Sequence, residues 1–246
     1  MTACADAAAA DTGKQCKKSW EKGMEDYRII EVKRSIFEDN DADANKLRKA
    51  LKEDHTFLVN LMSSPGAGKT TLLERTLKEL GGKLRVGVME ADIDSDVDAK
   101  RMNEAGADRT IQIHTGGMCH LDADMTRQGL QELGTEDLDL VFLENVGNLV
   151  CPAEFDTGAS TNVMILSVPE GDDKPLKYPL MFQVSDLVLI SKTDVLPYFA
   201  FDMDACIARI HERNPRAEVI PVCAKTGEGI AEWCRWLNER IKQSQL

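Results

Sequence analysis

The sequence contains no long apolar run and few aromatic residues, which account for 5% of its 246 positions. Because a membrane-spanning helix needs about 18 or more consecutive apolar residues, no such helix is expected. Residues 1–11 are rich in alanine but lack the basic residues and apolar core of a secretory signal peptide. These absences predict a cytoplasmic protein with no membrane partner.

Basic residues are fewer than acidic ones, since 30 Lys and Arg against 42 Asp and Glu give a formal net charge of −12. Such a chain repels nucleic-acid backbones and anionic lipid surfaces, so neither is an expected partner. The apolar share of 43% and the charged share of 29% are ordinary for a globular protein. A compact anion site remains compatible with this charge, because a few backbone N–H groups can build one.

Cysteine occurs in an odd number and without a closely spaced CxxC pair, so the sequence predicts reduced thiols rather than a disulfide framework. We expect two of the thiols to lie idle in the N-terminal tail and three to pack in the interior. The idle pair is Cys4 and Cys16, and the packed ones are Cys206, Cys223 and Cys234. Cys119 and Cys151 are considered below.

The chain is predicted to consist of a flexible N-terminal tail and lead-in, residues 1–34, and one domain, residues 35–246. In the domain, apolar runs alternate with helical stretches, which is typical of βαβ units. The predicted strands are residues 57–62, 84–91, 110–113, 138–144, 163–168, 187–191 and 218–222. The predicted helices are residues 39–54, 70–80, 97–105, 122–133, 202–214 and 230–242. The fold class is therefore α/β, with a doubly wound, mostly parallel sheet of about seven strands flanked by helices.

A phosphate loop (residues 63–70) follows the first predicted strand and precedes a helix, which is the context that such loops require. Glycines allow the backbone N–H groups to turn toward one anion, and the helix N-terminus adds its positive end. We expect Lys69 to reach the β- and γ-phosphates and the Thr70 hydroxyl to bind Mg²⁺. The nucleotide-binding residues are predicted to be Pro65, Gly66, Ala67, Gly68, Lys69, Thr70 and Thr71. Ser63 stands where the strict pattern has glycine. The domain is thus a predicted P-loop NTPase.

Acidic residues at two strand ends complete a predicted magnesium site. Asp92 closes the second strand and Glu144 closes the fourth, where a carboxylate can hold Mg²⁺ directly or through water. Gly147 follows Glu144 at the distance expected of a backbone that responds to a γ-phosphate. We assign catalytic roles to Lys69, Glu144 and Gly147. The acidic residues Asp94, Asp96 and Asp98 are interpreted as a solvated loop.

A guanine-binding segment is predicted at residues 191–194, directly after an apolar strand. The Asp194 carboxylate can accept hydrogen bonds from N1–H and the 2-amino group of guanine, and the Lys192 stem can lie against the base. After the last strand, Ala224 and Lys225 are placed to approach the guanine 6-oxo group. Ser191 replaces the asparagine of the stronger pattern. GTP is favoured over ATP, because a site with paired acceptors discriminates strongly between the bases.

The thiol–imidazole cluster (Cys119, His120 and Cys151) is a candidate metal site. The residues lie in loops that follow different strands, and in a doubly wound domain both loops reach the same edge of the sheet. Two thiolates and one imidazole suit Ni²⁺ or Zn²⁺ and leave a coordination position open. An alternative stays open on spacing alone, namely two ordinary small cysteines beside a surface histidine.

Three segments resemble the HypB family of hydrogenase nickel-incorporation GTPases. They are Ser-Pro-Gly-Ala-Gly-Lys-Thr at residues 64–70, His-Leu-Asp-Ala at 120–123 after Gly-Met-Cys, and Glu-Asn-Val-Gly-Asn-Leu-Val-Cys-Pro at 144–152. The resemblance covers about residues 35–243. The chain lacks the N-terminal CxxCGC motif and the His-rich tail that some members carry.

The resemblance implies a GTPase that dimerises with nucleotide, binds nickel or zinc between subunits and helps to deliver Ni²⁺ to the [NiFe]-hydrogenase large subunit with maturation partners. It implies that Lys69 and Thr70 serve the phosphates and Mg²⁺, that Asp92 and Glu144 serve the Mg²⁺ sphere, and that Lys192 and Asp194 serve guanine. It assigns the metal to Cys119, His120 and Cys151. Alternatives are a urease-type or other metallochaperone GTPase, a small-molecule kinase or other adenine-nucleotide enzyme that uses the same loop, and a nucleotide-dependent zinc-binding adaptor.

Overall fold

The computed structural model describes residues 26–92 and 97–245, and for residues 26–36, residue 92 and residues 97–100 it describes the backbone alone. The chain divides into two compact units, Met1–Asp39 and Asn40–Leu246. Of the first unit, residues 26–39 are described, and they are helical. The domain bounds stay predictions, and most of the predicted tail, with Cys4 and Cys16, lies outside the described residues.

Seven parallel strands, among the described residues, form one sheet in the order β3-β2-β4-β1-β5-β6-β7. The strands are β1 (Phe57–Ser63), β2 (Val86–Asp92), β3 (Arg109–His114), β4 (Leu140–Glu144), β5 (Thr161–Ser167), β6 (Leu187–Ser191) and β7 (Glu218–Pro221). The helices are α1 (Asp26–Glu53), α2 (Lys69–Leu80), α3 (Val97–Ala105), α4 (Ala123–Leu133), α5 (Cys151–Glu154), α6 (Lys174–Lys177), α7 (Pro179–Gln183), α8 (Met203–Arg213) and α9 (Ile230–Ser244). Every strand pair is parallel, which confirms the predicted fold class.

Strands β2 and β4 begin two residues later than their apolar runs predict, because the preceding backbone has other partners. The Arg85 N–H donates to the Asp139 carboxylate at 2.8 Å, and the Arg85 carbonyl accepts from the Asp139 N–H at 2.9 Å. Helix α1 starts earlier than the predicted residue 39, at Asp26. Residues 26–38 contain no proline or glycine to stop it. The one-turn helices α5, α6 and α7 are too short to show a helical period in the sequence.

The core lies on both faces of the sheet. One face is covered by α2, α3 and α9, whose apolar residues pack with Val59, Val88 and Phe142 of the strands. The other face is covered by α4, α7, α8 and Leu47 and Leu51 of α1. Strand β1 is buried at every position, as expected for the centre of a parallel sheet.

Parallel pairing directs the carboxyl end of every strand to one edge of the sheet, where ligands of such folds bind. Strand β1 lies between β4 and β5, so the loops that follow these three strands are neighbours at that edge. The sequence-predicted phosphate, magnesium and thiol segments all belong to this edge. Within the described ranges, no helix combines the length and the apolar character needed to cross a membrane.

Candidate functional site

The phosphate loop has the backbone conformation that its glycines predict. Gly66 and Gly68 have φ of +75° and +99°, a region that residues with a side chain adopt only with strain. Pro65 and Ala67 alternate with them, and Ala67 is buried. The loop ends at Lys69, the first residue of α2, whose N-terminus adds backbone donors and a positive dipole end. The arrangement can hold a phosphate chain.

Two serine hydroxyls brace this loop at the positions where the sequence departs from stricter patterns. Ser63 is fully buried and its Oγ accepts a hydrogen bond from the Lys69 ammonium at 3.0 Å. Ser191, at the end of β6, donates from Oγ to the Ala67 carbonyl at 2.8 Å. Both serines therefore retain a polar contact with the loop.

A further contact to the loop comes from Glu170, which the sequence analysis missed. Its carboxylate accepts hydrogen bonds from the Ser64 hydroxyl and from the N–H and hydroxyl of Ser167. Ser167 and Glu170 form a capping box around the short turn Val168–Glu170. The pattern Ser-x-x-Glu directly after an apolar strand is the signal that could have identified this residue.

The predicted guanine segment lies beside the phosphate loop. Lys192 has φ +61°, a conformation that is uncommon outside glycine, and its ammonium donates to the Gly66 carbonyl at 2.7 Å. A cavity of about 230 Å³ separates the two segments. The predicted site residues that line it are Ala67, Gly68, Thr71, Lys192, Asp194, Ala224 and Lys225. The structure thus brings together the segments that follow β1, β6 and β7.

Asp194 is the acidic group of this cavity, and the Lys225 ammonium lies 3.7 Å from its carboxylate. Lys225 is largely exposed, whereas the Asp194 side chain is 25% exposed. The preceding Thr193 is anchored by its hydroxyl to Glu228 at 3.1 Å and by its N–H to the Val222 carbonyl at 3.4 Å. A half-buried carboxylate held in this way can accept hydrogen bonds from a planar base.

The Thr70 hydroxyl donates to the Glu144 carboxylate at 3.1 Å, next to the phosphate loop. Neutral and anionic oxygens side by side are the ligands that Mg²⁺ prefers, so this pair fits the ion. Asp92 ends β2 as predicted, but its side chain lies outside the described part. Of the interpreted solvated loop, Asp94 and Asp96 lie outside the described residues, and Asp98 is described by its backbone alone.

Gly147 lies against the phosphate loop. A Cβ at this position would stand 3.0 Å from both the Cα and the N of Pro65, so glycine permits an approach of two backbones. The preceding Asn145 is fully buried, and its amide donates to Asn60 of β1 at 3.0 Å. Asn60 in turn donates to Asn162 of β5 at 2.9 Å. This row of amides connects the segment after Glu144 to the central strands, and the sequence analysis did not identify it.

The three side chains of the thiol–imidazole cluster lie close together in the structure. One ligand atom from each of Cys119, His120 and Cys151 lies within 4.8 Å of the other two. The two Sγ atoms are 2.9 Å apart, and the Cys119 Sγ is 3.9 Å from the His120 Nδ1. Ligands of one tetrahedral Ni²⁺ or Zn²⁺ ion have separations of this order. Because Cys119 is exposed, the cluster is open to a further ligand.

The surroundings of the cluster favour a protonated Cys151 thiol and a neutral His120 imidazole. Burial lowers the pKa of His120, against the opposing negative charges of Asp122 and Glu154. The Phe155 ring stacks on the imidazole at a centroid distance of 3.9 Å. The hydrogen bond with Cys119 raises the pKa of the Cys151 thiol, and burial adds to it. A metal that binds here displaces thiol protons and meets an imidazole ready to coordinate.

Three other cysteines, Cys206, Cys223 and Cys234, are free and buried, which confirms their predicted packing role. Burial raises the pKa of Cys206 to about 12 and that of Cys234 to about 12. Among the described side chains, they stand apart from the cluster that could hold a metal.

Comparison with known proteins gives consistent matches. A family model described as the CobW/HypB/UreG nucleotide-binding domain matches residues 57–221. Hydrogenase maturation factor HypB of Rhizobium leguminosarum bv. viciae is 47% identical over 216 residues, which cover 88% of this chain and 72% of that protein. The family match therefore spans all seven strands of the sheet, the phosphate loop and the thiol–imidazole cluster.

Solved structures agree with the sequence comparison. HypB from Helicobacter pylori, crystallised in complex with nickel, matches with a TM-score of 0.78 and 36% identity, over 84% of this chain and 97% of that one. HypB from Archaeoglobus fulgidus matches with a TM-score of 0.77 and 39% identity, over 82% of this chain and 98% of that one.

Proposed function

This chain belongs to the HypB family of hydrogenase maturation factors, within the CobW/HypB/UreG group of nucleotide-binding proteins, and from that membership we propose that it is a GTPase that delivers nickel during [NiFe]-hydrogenase maturation. One observation carries the link between nucleotide and metal. Residues 144–151 begin at the carboxylate that contacts Thr70 and end at the thiol that contacts Cys119. A single short segment therefore joins the two sites.

In this proposal the phosphate loop and Lys69 bind the β- and γ-phosphates of GTP, and Asp194 accepts hydrogen bonds from guanine. Thr70 and Glu144, with Asp92, would hold Mg²⁺, which when bound would supply positive charge against the β- and γ-phosphates. Hydrolysis depends on positioning and electrostatics rather than on a covalent step, as in other phosphoryl-transfer proteins. Gly147 senses the γ-phosphate because its backbone lies against Pro65 of the loop.

Nickel is the cargo, and Cys119, His120 and Cys151 are its proposed ligands. Zn²⁺ suits the same donor set and is a competing ion. The exposure of Cys119 and the open coordination position support a nucleotide-dependent homodimer that completes the site between subunits. The hydrogenase large subunit and other maturation factors are the proposed partners, in the cytoplasm.

Base selectivity provides the first test. Wild-type protein is expected to hydrolyse GTP slowly and to discriminate against ATP. Asp194→Asn replaces an acceptor by an amide donor, so affinity moves from GTP toward xanthosine triphosphate, whose 2-oxo group accepts. Asp204→Asn, on α8, is the matched control and leaves both affinities unchanged. A wild-type preference for ATP would refute the proposal.

Nickel binding is tested by titrating Ni²⁺ into the protein in the presence of GDP or of a non-hydrolysable GTP analogue, while sedimentation measures whether the protein is a monomer or a dimer. We expect the analogue to produce a dimer that binds nickel more tightly than the GDP form. Cys151→Ser is expected to lose nickel binding, whereas Cys234→Ser, a buried thiol of α9, retains it. Unaltered binding in Cys151→Ser would exclude the cluster as the nickel site.

A further inference from the structure

Asn40, near the middle of α1, forms hydrogen bonds to both segments that carry the thiol–imidazole cluster. Its amide Nδ2 donates to the carbonyl of Asp156 at 3.0 Å, and its Oδ1 accepts from the N–H of Ala123 at 3.0 Å. The two partners fix the amide orientation, because one is an acceptor and the other a donor. One side chain thus bridges two segments far apart in the sequence.

The first of these segments contains Cys119 and His120 and runs directly into α4. Ala123 is the first residue of that helix, so its N–H has no acceptor within the helix. Asp122 caps the Met125 N–H at 2.8 Å, and Asn40 takes the Ala123 N–H. The start of α4 is therefore held from two directions, three residues after His120.

The second segment begins at Cys151 and continues through Phe155, whose ring stacks on His120, to Asp156. Besides the bond from Asn40, Asp156 forms an ion pair with Arg48, two turns further along α1. Arg48 also donates to the Ala159 carbonyl at 3.1 Å. This part of α1 therefore binds the chain just after the second thiol.

From these contacts we propose that Asn40 is a positioning residue for the thiol–imidazole cluster: it ties the segment of Cys119 and His120 to that of Cys151 and so sets the separation of the two thiols. The inference rests on the proposed function only in taking the cluster as the nickel site. Asn40 touches neither metal nor nucleotide in this scheme and acts through the backbone at Ala123 and Asp156.

Thiol proximity can be measured without metal by bridging the two cysteines with dibromobimane. Each thiolate displaces one bromide, and the amount of Cys119–Cys151 cross-link is quantified by peptide mass spectrometry. Asn40→Ala removes both hydrogen bonds and is expected to slow cross-linking about tenfold, because the two segments are then no longer tied together. Asn40→Asp keeps the acceptor for Ala123 but loses the donor to Asp156, so an intermediate rate is expected.

The matched control is Asn238→Ala. Asn238 is also half-buried on a helix, but its amide donates to the Cys234 carbonyl of its own helix, α9. Its cross-linking rate is expected to equal that of the wild type. The KM for GTP is also measured in all variants. Asn40→Ala is expected to leave this KM unchanged, because Asn40 does not contact the nucleotide site. If Asn40→Ala lost both GTP binding and cross-linking, the variant would be generally unfolded, and the positioning role would be overturned.

Nickel affinity is then measured in the same variants through thiolate-to-metal charge-transfer absorption. We expect Asn40→Ala to bind about tenfold more weakly than the wild type, and Asn238→Ala to match the wild type. Unchanged cross-linking in Asn40→Ala would overturn the inference, whatever happens to nickel. If cross-linking slows but wild-type protein binds no nickel at Cys119 and Cys151, positioning is supported while the proposed function fails.

Discussion

At the scale of single residues, the phosphate loop is held by side chains from the end of β6 and from the residue that follows it. The Ser191 hydroxyl donates to the Ala67 carbonyl, and the Lys192 ammonium donates to the Gly66 carbonyl. These bonds orient two loop carbonyls away from the phosphate side and so favour N–H groups facing an anion. The predicted guanine segment therefore supports the phosphate loop.

Ser191→Ala removes one of these bonds and is expected to weaken GTP binding about fivefold, because a hydrogen bond of this kind contributes about 1 kcal/mol. Fluorescence titration with a labelled GTP analogue measures the affinity. Ser244→Ala removes a comparable hydroxyl-to-carbonyl bond at the end of α9 and is expected to leave the affinity unchanged. Equal affinities in the two variants would mean that the Ser191 bond does not support the loop.

Gly147→Ala places a methyl group 3.0 Å from backbone atoms of Pro65, which cannot move without displacing the phosphate loop. Overpacking of this kind costs about 1–3 kcal/mol, so we expect GTP affinity to fall about tenfold or more. Calorimetric titration with GTP provides the measurement.

Gly82→Ala serves as the control for Gly147→Ala. A Cβ at Gly82 has no neighbour within 4 Å, although φ of +71° makes alanine strained there. This variant is expected to lose stability while keeping GTP affinity. If both variants lost GTP affinity in proportion to their loss of stability, a specific clash with Pro65 would not be the cause in Gly147→Ala.

At the scale of elements, two helices, α4 and α8, begin at aspartate caps. Asp122 caps α4 through the Met125 N–H at 2.8 Å, and Asp202 caps α8 through the Ala205 N–H at 2.9 Å. Only the first cap lies next to the thiol–imidazole cluster. The pair therefore separates the stability of a helix start from its effect on the cluster.

Asp122→Ala and Asp202→Ala are each expected to lower the free energy of unfolding by about 1 kcal/mol, the usual contribution of such a cap. Urea titration of the reduced, metal-free protein measures this loss. Asp122→Ala alone should also slow bimane cross-linking of Cys119 to Cys151. Equal cross-linking rates in the two variants would show that the start of α4 does not position His120 and Cys119.

The long elements could be predicted because each carries its own pattern. Seven apolar runs predicted seven strands, and the strand-end positions of Glu144 and Ser191 placed the site at one edge of the sheet. The turns of α6 and α7 escaped prediction because four or five residues cannot show a helical period. The starts of β2 and β4 were wrong because Arg85 and Asp139 pair with each other, which no local pattern reveals.

Within the site, residues could be predicted where their chemistry is encoded in a contiguous motif, as in the phosphate loop. Residues that contact the site from segments distant in the sequence could not be predicted. Asn40 reaches the cluster from α1, and Phe155 reaches His120 only because two loops meet. Asn60 and Asn162 are polar side chains in apolar strands, and only the strand order reveals that Asn60 contacts both Asn162 and Asn145.

At the scale of the whole molecule, two buried thiols make the stability of the folded protein depend on pH. Burial raises the pKa of Cys206 to about 12 and that of Cys234 to about 12. In the unfolded chain the same thiols lose their protons near their ordinary pKa of about 9. Between these values the folded state holds more protons, so a rise in pH favours unfolding.

Stability is therefore expected to be retained below about pH 8 and to fall as pH rises from about 9 toward 12. Urea midpoints measured across this range report the fall. In Cys206→Ala/Cys234→Ala the slope should be shallower than in the wild type, whereas Ser244→Ala, which removes a hydroxyl and no thiol, should leave it unchanged. Parallel slopes in all three proteins would show that other groups cause the alkaline loss.

The strand order has a consequence for how the chain folds as it is synthesised. Strand β1 pairs with β4 and β5, so Phe57 has no strand neighbour until Leu140 is synthesised, and Val59 gains its second neighbour only with Thr161. When the phosphate loop has just emerged from the ribosome, β1 is therefore an apolar segment whose partner strands have not yet been synthesised. Non-local pairing of this kind is slow and exposes apolar surface, which makes the first 140 residues of the emerging chain a natural client for chaperones.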